Sequence, residues 1–159
     1  VLRYFNAAGY DIQGRIQGLE KNPANLLPII METISGKRDS MNVYGDDYHT
    51  PDGTGIRDYI HVKDLATAHV KTLQAIIEKN KNLIMNLATG EGYSVLEVIR
   101  KTKEITGKEV NYNIVERRPG DPAELVAVSN LANDILDWKC EYSDLKTILQ
   151  SMWKIYAKQ

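Results

Sequence analysis

Apolar and polar positions along this chain recur in two periods, and the changes between them mark its elements. Val1 to Phe5 reads as an extended run that ends at Asn6-Ala7-Ala8-Gly9, and Tyr10 to Ala24 is irregular, broken by Gly14, Gly18 and Pro23. Helical spacing follows at Leu26, Ile29, Ile30 and Thr33, capped by Asn25, with Pro28 in the first turn and a stop near Gly36. Met41 to Tyr44 and Tyr59 to Val62 read as short strands. A second amphipathic helix carries Leu65, Ala68, Thr72, Leu73, Ile76 and Ile77 inward. Leu83 to Ala88 reads as a strand. Ser94 and Glu97 form a capping box for a helix that buries Val95, Val98, Ile99, Thr102 and Ile105 and stops at Gly107. Strands over Val110–Val115 and Leu125–Val128 and a short helix over Asn130–Leu136 come next. Ser143 caps a last helix with Leu145, Ile148, Leu149, Met152 and Tyr156 inward. This irregular alternation predicts an α/β substrate-binding lobe of mixed helices and short strands rather than a complete doubly wound sheet.

The stretch from Tyr44 to Val62 interrupts the pattern. It holds four Gly or Pro breakers, four Asp, one Arg and three Tyr. That composition suits a loop, and long ordered loops in compact domains are commonly functional. A solvated connection is the competing reading.

Composition narrows the partners. The 159 residues carry a net charge of -1 with a pI near 6.3, which offers no basic field for nucleic acid. No apolar run is long enough to span a membrane. Cys140 stands alone, so neither a disulfide framework nor a cysteine zinc site is available, and a cytoplasmic setting is expected. The chain opens on Val1 directly in an extended run, so it is expected to be a piece of a longer protein whose upstream part carries some of the function.

Several groups invite chemistry. Gly90-Glu91-Gly92 stands between a strand and a helix, where a dinucleotide turn would be, but Val95 replaces the third glycine and no acidic residue ends a following strand at the ribose distance. A tight turn is the better reading. Arg57 and the pair Arg117-Arg118 lie on breaker-rich segments, where guanidinium forks suit a diphosphate. Ion pairs of Arg57 with Asp58 or Asp52, and of Arg118 with Asp121, are equally open. His69, on an apolar stripe, reads as a core or loop-anchoring residue. The three histidines lack ligand spacing, so no metal site is expected.

Leu2-Arg3-Tyr4-Phe5-Asn6, Pro23-Ala24-Asn25-Leu26-Leu27-Pro28, Tyr44-Gly45-Asp46-Asp47-Tyr48, the long run Asp52-Gly53-Thr54-Gly55-Ile56-Arg57-Asp58-Tyr59-Ile60-His61-Val62 and Arg117-Arg118-Pro119-Gly120-Asp121 resemble the UDP-glucose 4-epimerases, a branch of the extended short-chain dehydrogenases. The similarity covers the second half of such an enzyme. It implies an α/β Rossmann-type parent that moves a hydride at C4 of a UDP-sugar through a 4-keto intermediate in galactose metabolism. NAD and the catalytic Tyr/Lys pair would come from the other half, so no catalytic residue is expected here and this chain alone should be inactive. Residues 1–159 would form the substrate-binding part, with 1–6 a remnant of the last cofactor-domain strand.

By position, the resemblance puts Tyr4 and Phe5 near the nicotinamide and Asn6 at the diphosphate or sugar. Asn25 and Leu26 would meet the diphosphate. Asn42, Val43 and Tyr44 would hold uracil, Arg57 and Arg118 would clamp the phosphates, Tyr59 would line the site, and Asp121 would take the ribose hydroxyls. The implied ligands are UDP-glucose and UDP-galactose. The implied parent is a homodimer, with a monomer open for this chain. Three departures stand out: Asn6-Ala7-Ala8 where several members have Asn-Pro, Gly18-Leu19-Glu20-Lys21 in place of an acidic motif, and Leu125 where some members gate acetamido sugars. Another UDP-sugar epimerase, a nucleotide-sugar dehydratase and a non-catalytic nucleotide-sugar binding module remain alternatives.

Overall fold

A computed structural model describes residues 1–79 and 82–158. In chain order the elements are β1 (Leu2–Arg3), β2 (Asn6–Ala8), α1 (Leu26–Ile34), β3 (Met41–Tyr44), β4 (Ile56–Arg57), β5 (Tyr59–His61) and α2 (Val62–Lys79). There follow β6 (Met85–Asn86), β7 (Tyr93–Ser94), α3 (Val95–Thr106), β8 (Tyr112–Val115), β9 (Glu124–Leu125), α4 (Asn130–Leu136) and α5 (Leu145–Tyr156). The expected mixed α/β lobe is what forms.

The short strands pair with distant partners. β1 runs parallel to β6, β2 to β5 and β3 to β8, while β4 lies between antiparallel β7 and parallel β9. The opening strand expected over Val1–Phe5 is therefore only Leu2–Arg3, and Asn6–Ala8, expected to end it, forms a second strand. The chain changes partner at Tyr4 and Phe5, which are left exposed.

Two cores flank β5. Tyr59 packs into one, with Leu27, Ile30 and Met31 of α1, Val98 of α3 and Ile148, Leu149 and Met152 of α5. Its neighbour Ile60 packs into the other, with Leu65 and Ala68 of α2, Ala132 of α4 and Trp138. Successive residues of a strand point to opposite faces, so one fully buried strand can serve both cores.

Several helix details depart from expectation. On α2 the buried stripe runs through Leu65, Ala68, Thr72 and Ala75, whereas Leu73, Ile76 and Ile77 are exposed. The apolar surface of this helix is wider than the one stripe its neighbours cover. His69 is also exposed and meets Tyr4 edge to face, with ring centroids 6.1 Å apart; the fully buried histidine is His61. The cap of α5 is Asp144, which accepts from Thr147 N, because the Ser143 hydroxyl is committed to Asp64. Ser94 caps α3 as expected by accepting from Glu97 N, and Gly107 ends it with φ 68°. Strand bounds are shorter than the apolar runs that suggested them, at β6, β8 and β9 alike.

Candidate functional site

A cavity of about 300 Å³ opens where α1, β3, the β4–β5 segment and the loop after β8 converge. Each wall follows from local sequence. In β3, Met41 and Val43 turn into the core while Asn42 and Tyr44 face outward, a period-two alternation. Asn25 stands at the N-cap of α1 with extended backbone but makes no side-chain cap bond; it and Leu26 line the cavity instead. The opening amides of a helix carry unsatisfied donors and partial positive charge, and α1 has no acidic residue in its first turn to offset them. That wall favours an anion.

Arg57 and Arg118 line the same cavity. Arg57 lies in β4 beside β9, donating from Nη1 to the Ile56 carbonyl at 2.7 Å and from Nη2 to Asp121 Oδ1 at 2.5 Å. Its ion-pair partner is therefore Asp121, neither Asp52 nor Asp58. Asp52 instead accepts from Thr54 and Ser94, and Asp58 is buried elsewhere in a network of its own. Arg118 does not pair with Asp121; its guanidinium lies over the Tyr44 ring, 3.8 Å from the centroid. Hydrogen bonding to Arg118, and then to Asn42, holds the Tyr44 phenol below its ordinary value. Tyr59 is buried, and desolvation pushes its phenol above the usual range. Asn6 lies level with Tyr59 in the β2–β5 pairing and donates from Nδ2 to the Asp58 carbonyl at 2.9 Å.

Of the residues singled out in the sequence, Asn6, Asn25, Leu26, Asn42, Val43, Tyr44, Arg57, Tyr59, Arg118 and Asp121 all line this one cavity. Tyr4 and Phe5 lie outside it and are exposed. Sequence reasoning missed Arg38, Ser40 and Tyr48. Arg38 follows the glycine that ends α1 and reads as surface, yet it turns back to Glu32, with Nη2 2.9 Å from Oε2. Tyr48 is buried within the loop and carries Arg117 over its ring at 4.1 Å. Aromatic residues among turn residues were the available signal for it.

The glycine turn at Gly90 is closed by the chain itself. Its amides are taken by the Asp58 carboxylate, which accepts from Thr89 N at 3.2 Å and Gly90 N at 3.1 Å. Gly92 is required by packing, since a Cβ there would overlap Ile56 and come within 2.7 Å of Val126 Cγ2. The described residues thus do not build a dinucleotide cradle. Among them no His, Cys, Asp and Glu group could hold a metal ion, and no helix is long and apolar enough to cross a membrane.

Comparison with known proteins gives a consistent relationship. Residues 1–88 match the NAD dependent epimerase/dehydratase family. The UDP-glucose 4-epimerase of Lacticaseibacillus casei is 42% identical over 153 residues, which cover 96% of this chain and 46% of that protein. A UDP-glucose 4-epimerase structure from Stenotrophomonas maltophila, with bound NAD and formylated UDP-arabinopyranose, superposes with a TM-score of 0.94 at 42% identity, over 99% of this chain and 47% of that one. The Bifidobacterium longum enzyme in complex with NAD+ and UDP superposes with a TM-score of 0.88 at 41% identity, over 99% and 47% of the two chains. The chain spans about half the length of these relatives. On the match over residues 1–88, more than half of its length, the chain belongs to the NAD dependent epimerase/dehydratase family.

Proposed function

We propose that this chain is the substrate-binding part of an NAD-dependent UDP-glucose/UDP-galactose 4-epimerase. The observation that carries this reading is the convergence of ten residues, spread from Asn6 to Asp121, on one cavity of about 300 Å³. Ligand cavities start at roughly this size, and this one joins a helix start to the Arg57 and Arg118 guanidinium groups and the Tyr44 ring. On this reading Arg57 and Arg118 hold the diphosphate, with Asn25 and Leu26 at its other side. Asn42, Val43 and Tyr44 take uracil, Asp121 takes the ribose hydroxyls, Asn6 meets the diphosphate or the sugar, and Tyr59 lines the site. NAD and the catalytic pair belong to the part of the relatives' length that this chain does not span. Residues 1–6 would belong to the last strand of that cofactor-binding part, bringing Tyr4 and Phe5 to the nicotinamide. The parent is proposed as a cytoplasmic homodimer, on the resemblance and on the single cysteine.

Calorimetric titration of UDP into the chain and its Arg57→Ala and Arg118→Ala variants tests the grip. Each variant is expected to bind at least about tenfold more weakly, since each loses charge-assisted bonds to phosphate oxygens. Equal affinity in all three rejects the assignment. Binding by the unvaried chain is expected to be weak, because part of the site's support lies outside it.

A further inference from the structure

Asp58 stands between two cavity residues, Arg57 and Tyr59, yet does not itself line the cavity, and it is 3% exposed. Its carboxylate accepts three hydrogen bonds: from Thr89 N at 3.2 Å, from Thr89 Oγ1 at 2.7 Å and from Gly90 N at 3.1 Å. Its backbone is equally engaged. The amide donates to the Leu125 carbonyl at 3.2 Å, and the carbonyl accepts from Asn6 Nδ2 at 2.9 Å. One buried residue therefore ties together β2, the turn at Thr89–Gly90 and β9.

The chemistry of that turn explains the arrangement. Gly90 has φ 80°, a left-handed conformation that lets successive amides converge on an anion, as nests do for phosphate groups. Here the anion is internal. The carboxylate fixes the backbone at residue 58, and strand geometry then fixes the directions of its two neighbours.

We propose that Asp58 is a positioning residue for the diphosphate end of the cavity, acting through Arg57 and Asn6 without touching the ligand. This rests on reading the cavity as a UDP site. Binding energy from Arg57 depends on its placement to within a fraction of an ångström, and an anchored neighbour supplies that placement. Asp58→Asn keeps the side-chain volume but turns an amide NH2 toward donors that need an acceptor.

The test compares UDP with uridine, which lacks the phosphates, by calorimetry on the full chain. Asp58→Asn is expected to weaken UDP about tenfold and to leave uridine affinity unchanged. Equal weakening of both ligands, or of neither, overturns the proposal. If Asp58→Asn does not fold, Thr89→Ala removes one of the three donors and must give the same split at about threefold. A ligand-free arm uses nuclear magnetic resonance. Asp58→Asn is expected to speed amide exchange at Thr89 and Gly90 and to shift the Arg57 Nε–H and Asn6 side-chain signals. Unmoved Arg57 and Asn6 signals overturn the proposal whatever UDP does. If the unvaried chain fails to bind UDP, the substrate reading falls, and these signals alone decide the role of Asp58.

Discussion

The Arg118 guanidinium lies over the Tyr44 ring, 3.8 Å from its centroid, so the cation assigned to phosphate and the ring assigned to the base are already in contact. Cation–π contact of this kind adds a modest attraction at an exposed site. It also makes Tyr44 a reporter on Arg118, because the guanidinium is the first cause of the lowered phenol value.

Replacing Arg118 by Ala should therefore raise the pH at which Tyr44 ionises, back toward the ordinary phenol value. Ultraviolet difference titration, with a Tyr44→Phe variant to identify the transition, reads this directly. A Tyr44 transition that does not move in Arg118→Ala would show that the guanidinium has no hold on the ring.

Glycine positions in the loops that border the cavity are not equivalent. Gly53 and Gly120 share the left-handed conformation, with φ 78° and 79°. A Cβ at Gly53 would overlap the Asp46 carbonyl oxygen, whereas one at Gly120 would meet nothing within 4 Å. Gly120→Ala should cost about 1 kcal/mol of backbone strain alone, and Gly53→Ala about 3 kcal/mol or more. Urea denaturation of both variants measures the difference, and equal losses would contradict the packing argument.

Asp64, 1% exposed, accepts from Glu141 N at 3.1 Å, Tyr142 N at 2.9 Å and Ser143 Oγ at 2.5 Å. Asp64→Ala would leave three donors without an acceptor, so a loss of about 3 kcal/mol is expected, with less for Asp64→Asn. Equilibrium unfolding checks both values and their order.

Acid should weaken the fold through His61. Burial holds this imidazole below its ordinary value of 6.5; Lys63 adds to the effect, while Asp64 and Asp144 oppose it. The unfolded chain then binds a proton that the folded chain refuses, so stability falls as pH drops below about 6.5. The contribution is fully present above that pH. His61→Gln should flatten the slope in a series of urea midpoints across this range.

The site was more legible in the sequence than the boundaries of the elements. Residue chemistry alone left Arg57 and Arg118 open between phosphate contacts and ion pairs, the resemblance added Tyr44 and Asp121, and the fold brings all four to one cavity. Arg38 was hidden because its role depends on turning back toward Glu32 after the helix ends. The α2 error has a different origin. Periodicity shows which residues could be buried, but not how wide a partner covers them, so Leu73 and Ile77 looked the same as Leu65 and Ala68. At α5, Ser143 and Asp144 are both good caps; the choice was made by Asp64, far away in sequence.

The parallel pairing described for β1 with β6, β2 with β5 and β3 with β8 has a kinetic side. No strand of these three pairs finds its partner nearby in sequence; Leu2 waits for Met85 and Met41 for Tyr112. Large loops must close before such contacts return any free energy, which slows folding relative to a chain of local hairpins. The helices can form early, but the cavity cannot. Its walls include β2, β3 and β5, which meet only through such distant pairings, so binding competence should arrive late as the chain folds.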